Sequence, residues 1–163
     1  MNSNLIITIG REYGTGGREI GQKLALRLGV PFYDRELITR AAKKTGFDEK
    51  LFEQLDKRAT NSFLYSLTMF GSVGLNGMSL TDQLYLAQSN IIREMAEDSS
   101  CVIVGRCADH VLRDFPNKFD FFIHGSIEDR VKRVQTCGDY VIEGKTPEAA
   151  LEKMDKQRST YYN

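Results

Sequence analysis

The first thirty residues constrain the fold of this chain more than any other stretch. Leu5 to Ile9 is a short run of mostly β-branched apolar residues, as expected of a strand buried on both faces, and it stops at Gly10. From about Gly17, apolar residues recur at helical spacing. They are Ile20, Leu24, Ala25 and Leu28. The stretch therefore predicts a strand, a glycine-rich loop and a helix.

The loop between this strand and helix has the composition of an anion site. Gly14, Gly16 and Gly17 give access to positive φ and remove side chains that would hold a phosphate away from the backbone amides. Those amides and the positive end of the following helix favour an anion. Gly21 is small enough to let the helix lie close against a sheet. A tight turn without a ligand is the alternative interpretation.

Known loop motifs match this stretch in shape only. The dinucleotide fingerprint G-x-G-x-x-G fails, because Glu19 stands where the third glycine belongs. Against the P-loop pattern G-x-x-x-x-G-K-[ST], with Gly16 as the second glycine, Arg11 replaces the first glycine. Gly17 then replaces the lysine, and Arg18 the Ser or Thr. The loop is thus predicted to be a variant phosphate site.

Composition narrows the class of protein. A chain of 163 residues with 41% hydrophobic content predicts one domain, spanning 1–163. Its 22 basic and 22 acidic residues balance, so we expect no nucleic-acid polymer and no membrane as partner. Three cysteines without close paired spacing argue against disulfides and zinc and favour a reducing compartment. No apolar run reaches the length of a membrane span, and we expect a cytoplasmic protein.

The rest of the chain alternates extended and helical patterns. A brief extended segment ends before Asp34, which caps a helix carrying Arg40, and a helical insert or flap is expected at about 47–79. A long helix follows over 80–97. A buried strand is predicted at Cys101–Val104 and another strand at 119–123, and the last two helices begin with caps at Ser126 and Thr146. The alternation predicts an α/β fold with a parallel sheet and helices on both faces.

Basic residues follow the predicted strands. Arg40 comes after the second strand and Arg106 directly after the third, and open α/β sheets bind ligands at the carboxyl ends of their strands. Asp109 and His110 lie one helical turn beyond Arg106, and we interpret His110 as structural because it is a lone histidine. A neutral chain that gathers arginines around a glycine loop is suited to a small polyanion.

Three motifs in order resemble the cytidylate kinase-like family, a branch of the P-loop nucleoside monophosphate kinases. They are Ile9 to Gly21, Phe32-Tyr-Asp-Arg-Glu-Leu-Ile38 and Val102-Ile-Val-Gly-Arg-Cys-Ala-Asp109. The resemblance covers nearly the whole chain. It implies a three-layer P-loop kinase fold with strand order 2-3-1-4-5, ATP with Mg²⁺ as donor, and a nucleoside monophosphate, typically CMP or dCMP, as acceptor. It also implies an arginine-rich lid, here at about 130–160.

The resemblance assigns roles to particular residues. The donor phosphates would be held by Gly14, Thr15, Gly16, Gly17, Arg18 and Glu19. The acceptor would be held by Asp34, Arg40, Arg106 and Asp109. The arginines expected to stabilise the transferring phosphoryl are Arg18, Arg106, Arg130, Arg133 and Arg158.

The chain departs from true cytidylate kinases at three positions. It has Gly17 for the loop lysine, Arg18 for a small or hydroxyl residue, and Val104 for an aspartate that orients magnesium, and no carboxylate replaces Val104 by spacing. The metal ligands are therefore unassigned. The chain ends at Asn163 within a helical pattern, so we expect the last strand to be missing from it, either because the chain is shortened or because another chain completes the fold.

Three functions are compatible with this sequence. The first is a nucleotide kinase acting on a pyrimidine monophosphate. The second is a nucleotide-binding regulatory or sensor protein that has lost the chemistry, as Gly17 and Val104 allow. The third is a structural or assembly protein whose loop binds nothing. Formation of a homo-oligomer is left open.

Overall fold

The computed structural model describes residues 4–34, 80–137, 140 and 146–160. The predicted insert at about 47–79, Arg40 and the segment 141–145 of the predicted lid lie outside the described residues. The strands are β1 (Ile6–Arg11), β2 (Phe32–Tyr33), β3 (Cys101–Val104) and β4 (Lys118–Ile123). The helices are α1 (Gly17–Leu28), α2 (Leu80–Asp98), α3 (Ala108–Val111), α4 (Ile127–Thr136) and α5 (Pro147–Thr160).

The four strands form one sheet in the order β2-β3-β1-β4, and every pair is parallel. Ile9 lies opposite Val104 on one side of β1, and Arg11 lies opposite Ile123 on the other. The predicted parallel sheet is confirmed, and this order agrees with the first four strands of the order 2-3-1-4-5. The carboxyl ends of β1 and β3 are neighbours, so the glycine loop and Gly105 emerge side by side.

Helices cover both faces of the sheet, as the sequence predicts. On one face, α2 and α3 pack against Ile6, Cys101 and Ile103 through residues that include Ile92 and Leu112. On the other face, α1 packs through Ala25 against a second cluster, with Ile7, Ile9, Val102 and Val104 as its strand members. Each buried strand therefore contributes to two cores, which explains why its residues are apolar without alternation.

A row of small residues brings α1 close to the sheet. Gly17, Gly21 and Ala25 are its buried residues, spaced four apart on one face. A Cβ on Gly21 would lie 2.7 Å from Val104 Cγ2, so the prediction that Gly21 permits close packing is confirmed. Of the apolar residues at helical spacing, Ala25 is buried, whereas Ile20 and Leu28 are 43% and 44% exposed.

The predicted caps of the last two helices are present. Ser126 accepts a hydrogen bond from the Asp129 amide at 3.1 Å, and Thr146 accepts one from the Ala149 amide at 3.2 Å. These side chains satisfy amides that the first helical turn leaves without partners. The longest described helix, α2, has 19 residues, and within the described ranges we find no helix long and apolar enough to cross a membrane.

The three cysteines are free thiols. Cys101 and Cys107 are buried and Cys137 is partly exposed, in agreement with the interpretation that they are small packing residues. Burial raises the pKa of Cys101 and of Cys107 to about 11, so both are neutral thiols near pH 7.

Candidate phosphate site at the glycine loop

The backbone of the loop has the shape that an anion site needs. Gly14 and Gly16 adopt left-handed conformations, with φ of 82° and 75°, which only glycine adopts without strain. Gly16 is the N-cap of α1 and has no side chain with which to cap it. The first-turn amides of α1 are therefore not capped from this residue, and they lie at the positive end of the helix dipole. Beside the loop lies a cleft of about 220 Å³, lined by Gly14, Thr15, His124, Gly125, Asp129, Arg130 and Arg133.

Arg130 of α4 anchors the first half of the loop. Its side chain is 8% exposed, and its Nε donates to the carbonyl oxygen of Tyr13 at 2.8 Å. Its Nη1 lies 3.1 Å from a carboxylate oxygen of Glu12, and its Nη2 pairs with Asp155 of α5. Asp155 in turn accepts the Tyr13 amide at 2.6 Å. This buried guanidinium thus binds the loop to both lid-side helices.

Arg158 adds a second anchor from α5. Its Nη1 donates to the carbonyl oxygen of Arg11 at 3.0 Å, and its guanidinium carbon lies 5.2 Å from the centre of the Tyr13 ring, within cation–π distance. Burial lowers the pKa of Arg158 from its ordinary value, and Asp155 and Tyr13 oppose that shift. An arginine remains charged under such conditions. The side chains of Arg130 and Arg158 therefore bind the backbone of the loop.

Arg133 lies over the second half of the loop. A Cβ on Gly16 would meet its guanidinium carbon at 2.8 Å, so the absence of a side chain at residue 16 makes room for this group. Its Nη2 pairs with Glu19 and its Nε donates to the Tyr140 hydroxyl at 3.3 Å. The side chain of Arg133 is 34% exposed, and that of Glu19 is 48% exposed. This cation is next to the loop and accessible to a ligand.

Glu19 carries two cationic partners. Besides Arg133, it accepts a hydrogen bond from Lys23 at 2.6 Å, one turn further along α1. The hydrogen bond from Lys23, and after it the one from Arg133, holds the pKa of Glu19 below its ordinary value. Glu19 is therefore ionised at neutral pH and lies where it holds Arg133 beside Gly16.

Two residues predicted to contact different substrates pair with each other. Arg18, expected on the donor side, donates from Nε to Asp34 Oδ2 at 2.7 Å, and Asp34 was expected on the acceptor side. Asp34 has a side chain only 7% exposed, whereas Arg18 is 55% exposed. The pair links the start of α1 to the residue that follows β2. It directs the Arg18 guanidinium toward the β2 edge of the sheet.

Arg106 follows β3 in an unusual backbone conformation. Gly105, Arg106 and Cys107 have φ of 80°, 60° and 50°, and the last two are not glycine. Left-handed backbone costs an ordinary residue roughly 1–2 kcal/mol, and such conformations cluster at functional sites. The Arg106 Nη1 donates to Gln88 Oε1 of α2 at 3.5 Å, a long hydrogen bond. The structure thus brings Arg106 next to the carboxyl end of β1, on the α2 face of the sheet.

Asp109 lies apart from Asp34. It borders a cavity of about 350 Å³ together with Gly10, Asp120, Phe121 and Phe122, on the β4 side of β1. Asp34 follows β2, at the opposite edge of the sheet. The expected acceptor residues are therefore not gathered at one point. His110 is exposed and lies 3.3 Å from Arg113 Nη1, in agreement with a structural role.

Sequence reasoning did not find the carboxylates that organise the loop. Glu12 and Asp155 hold Arg130, yet they are 143 residues apart and no local spacing relates them. The sequence did contain one signal. The first half of the loop contains Glu12 and Tyr13, and a loop that binds phosphate needs neither side chain. Such residues indicate a contact with another part of the chain.

The described residues near the loop do not include an evident set of magnesium ligands. Val104, where true cytidylate kinases have an aspartate, is fully buried among apolar residues. Among the described residues, no group of three His, Cys, Asp or Glu side chains is close enough to hold a metal ion. The described side chains therefore do not form a metal site of their own, and we derive no step through a metal ion.

The sequence and the fold of this chain are similar to those of known proteins. Residues 6–163 match the model of the cytidylate kinase-like family. A crystal structure of an uncharacterized protein from Eubacterium ventriosum ATCC 27560 is similar, with a TM-score of 0.68 and 32% identity over 99% of this chain and 79% of that chain. Shikimate kinase from Bacteroides thetaiotaomicron shares the fold, with a TM-score of 0.55 and 16% identity over 97% of this chain and 82% of that one. A search of curated proteins finds no significant match.

Proposed function

Because the chain belongs to the cytidylate kinase-like family, we propose that it transfers a phosphoryl group from ATP to a nucleoside monophosphate, with CMP or dCMP as the expected acceptor. The observation that carries the proposal is the left-handed glycine loop at the start of α1, with the Arg133 guanidinium lying on Gly16. A loop of this shape, a helix N-terminus and an adjacent cation suit a chain of phosphates.

Four arginines have proposed roles. Backbone amides of Gly14 to Arg18 hold the donor phosphates, and Arg133 neutralises charge on them from α4. Arg106, at the end of β3, binds the acceptor phosphate. Arg130 and Arg158 act through the loop, because their guanidiniums are bonded to its backbone. Phosphoryl transfer requires alignment and charge neutralisation more than covalent chemistry, so arginines are suited to it.

The acceptor side is the less complete half of the proposal. Asp34 and Arg106 lie at the carboxyl ends of β2 and β3, where an acceptor beside the loop would reach both. Arg40 lies outside the described residues, and Asp109 stays a predicted contact. ATP is the proposed donor. Mg²⁺ is the family's expected companion of ATP, although the described residues do not supply its usual carboxylate.

An assay of ADP release tests the proposal. Purified protein is given ATP, Mg²⁺ and a panel of nucleoside monophosphates, and we expect CMP or dCMP to accelerate ADP release most. Arg106→Ala is expected to lower that rate at least 100-fold, because an arginine contact to a transferring or accepting phosphate contributes several kcal/mol. Arg113→Ala is the matched control, since Arg113 is an exposed arginine seven residues on, and its variant should keep the wild-type rate.

A second function is favoured by two positions at which this chain departs from true cytidylate kinases. Gly17 and the buried Val104 remove a lysine and a carboxylate that phosphoryl transfer usually employs. A nucleotide-binding regulatory or sensor protein would then be expected to gain thermal stability with ATP or a monophosphate while releasing no ADP. That pair of results would replace the kinase proposal. No thermal shift with any nucleotide would contradict both.

A further inference from the structure

The side chain of Arg11 occupies the space above Gly17. A Cβ built on Gly17 would lie 2.8 Å from Arg11 Cβ and 2.9 Å from Arg11 Cγ. Both distances are too short for real carbon atoms to coexist. The stem of Arg11 therefore passes over the first residue of α1, at the place from which a side chain at residue 17 would have to start.

The guanidinium of Arg11 ends at the junction of β1 and β3. A Cβ on Gly105 would lie 3.1 Å from Arg11 Cζ, with Nη1 closer still. Gly105 is itself placed beside β1, because its amide donates to the carbonyl oxygen of Ile9 at 3.1 Å. In a sheet of this order, the connections leaving β1 and β3 run in opposite directions, and the crevice between them is where open α/β sheets bind ligands.

Two glycines therefore make room for one arginine. Gly17 accommodates its stem and Gly105 its charged end, although neither is next to Arg11 in sequence. Gly105 is also required for its φ of 80°, whereas Gly17 is an ordinary helical residue with no positive φ. Gly17 is also the first of the small buried residues of α1, and the three atoms nearest to a Cβ at this position all belong to the Arg11 side chain.

The two residues have exchanged the types that the P-loop pattern prescribes. That pattern has glycine where this chain has Arg11, and lysine where it has Gly17. In the pattern, the lysine reaches the β- and γ-phosphates across a loop that begins with a glycine. Here the cation comes from the first position, and the glycine stands at the lysine position.

Arg18 is the other cation near that position, and its geometry is different. Its guanidinium is bound to Asp34, on the β2 side. Arg11 extends instead to the junction of β1 and β3, beside Gly105. Of these two arginines, Arg11 is the one directed at the crevice.

We propose that Arg11 supplies the loop cation that Gly17 lacks, so that Arg11 and Gly17 form a reciprocal exchange of the P-loop glycine and lysine. The inference rests on the proposed function for its ligand, a nucleoside triphosphate. Because the guanidinium does not lose its charge and presents a planar fork, it holds phosphate oxygens from a more restricted direction than a lysine does.

The test measures binding of ATP and of inorganic tripolyphosphate by calorimetry, apart from any transfer. Arg11→Met should weaken binding of both at least tenfold. Arg27→Met, which removes an exposed arginine at the far end of α1, is the control and should bind as wild type does. Gly17→Lys alone should bind poorly or be destabilised, since its Cβ collides with the Arg11 stem.

The double variant Arg11→Gly/Gly17→Lys tests the exchange even if Arg11→Met does not fold. It restores the first glycine and the lysine of the P-loop pattern, with Arg18 still in place of the Ser or Thr, and we expect its tripolyphosphate affinity to lie within about threefold of the wild-type value. A folded double variant that binds tenfold more weakly than wild type would overturn the exchange, as would wild-type affinity in Arg11→Met.

The binding and transfer assays separate this inference from the proposed function. Arg11-dependent binding without transfer to any monophosphate would overturn the kinase proposal and leave the exchange standing. Phosphoryl transfer that persists unchanged in Arg11→Met would overturn the exchange and leave the kinase proposal standing. A wild-type protein that binds neither ATP nor tripolyphosphate would overturn both.

Discussion

Arg130 and Arg133 stand one helical turn apart on α4, and both face the glycine loop. Arg130 is buried, and its guanidinium is shared among Glu12, Tyr13 and Asp155. Arg133 is about one-third exposed and pairs with Glu19 at the surface. The family resemblance implies that both arginines act in phosphoryl transfer, yet Arg130 holds the first half of the loop and Arg133 covers the second half.

The difference shows how one helix can serve structure and ligand at once. A buried guanidinium with its donors directed at two carboxylates and a carbonyl is costly to remove, because its partners remain. An exposed pair contributes little to stability and can exchange its carboxylate for a phosphate. Burial, rather than residue type, separates the two roles, and the following predictions test that separation.

The largest effect is expected for Arg130→Met. This change leaves Glu12, Asp155 and the Tyr13 carbonyl without their shared donor, and we expect the free energy of unfolding to fall by about 3 kcal/mol. For a domain of this size, that loss lowers Tm by roughly 6–12 °C. Urea and thermal denaturation measure it.

Lys132→Met is the control for Arg130→Met. Lys132 is an exposed cation on the same helix, and its removal should change stability by less than about 0.5 kcal/mol. If Arg130→Met is as stable as Lys132→Met, the contacts of Arg130 do not anchor the loop.

Next in size is the difference between the two left-handed glycines. A Cβ on Gly14 would meet Val134 Cγ1 at 3.0 Å and the Arg130 carbonyl oxygen at 3.1 Å, which are a buried side chain and a backbone atom of α4. A Cβ on Gly16 meets only the flexible end of Arg133. We therefore expect Gly14→Ala to lose about 2 kcal/mol and Gly16→Ala about 1 kcal/mol, by urea denaturation.

Gly29→Ala isolates the cost of the backbone conformation. Gly29 has φ of 66° and no atom within 4 Å of the position its Cβ would take, so its variant should lose about 1 kcal/mol from strain alone. If Gly14→Ala and Gly29→Ala lose the same free energy of unfolding, the loop around Gly14 is packed no more tightly than the exposed C-terminal end of α1.

A smaller effect is expected for Arg133→Met. Because the Arg133–Glu19 pair is exposed, we expect the free energy of unfolding to fall by less than about 1 kcal/mol. The difference from wild type should shrink further in 1 M salt, where exposed charges are screened. A loss of the size expected for Arg130→Met, persisting in high salt, would show that Arg133 is structural too.

The smallest effect concerns the titration of Glu19. Lys23 and Arg133 lower its pKa, and Lys23 is the stronger cause. Lys23→Met should therefore raise the pKa of Glu19 more than Arg133→Met does, as followed by NMR. Since the folded pKa is lowered, these pairs stabilise the protein above the ordinary glutamate pKa, and the effect disappears as the pH falls through the folded pKa. The reverse ranking would show that Arg133 dominates.

Local patterns were sufficient where the cause of a structure is local. The strands and the caps at Ser126 and Thr146 depend on residues within a few positions of each other. The same is true of the left-handed glycines. The exposure of Ile20 was not predictable in this way, because helical spacing identifies an apolar face without showing what packs against it.

Long-range pairing explains what the sequence could not show of the site. The loop and Arg106 were correctly predicted to lie at the carboxyl ends of the strands, since the carboxyl ends of parallel strands lie together. That Arg130 binds Asp155, or that Arg18 binds Asp34, depends on how helices pack after the sheet has formed. A resemblance carries over residue types and positions, but it does not distinguish a guanidinium that binds backbone from one that faces a ligand.

The left-handed backbone after β3 has a consequence for engineering this protein for higher thermal stability. Arg106 and Cys107 are left-handed without being glycine, and each carries roughly 1–2 kcal/mol of conformational energy. Glycine at residue 106 would release that energy, so a screen for heat resistance run without nucleotide would tend to select it. The same change would remove the guanidinium at the end of β3. Directed evolution of this scaffold therefore needs selection for ligand alongside selection for stability, because the two favour different residues at this position.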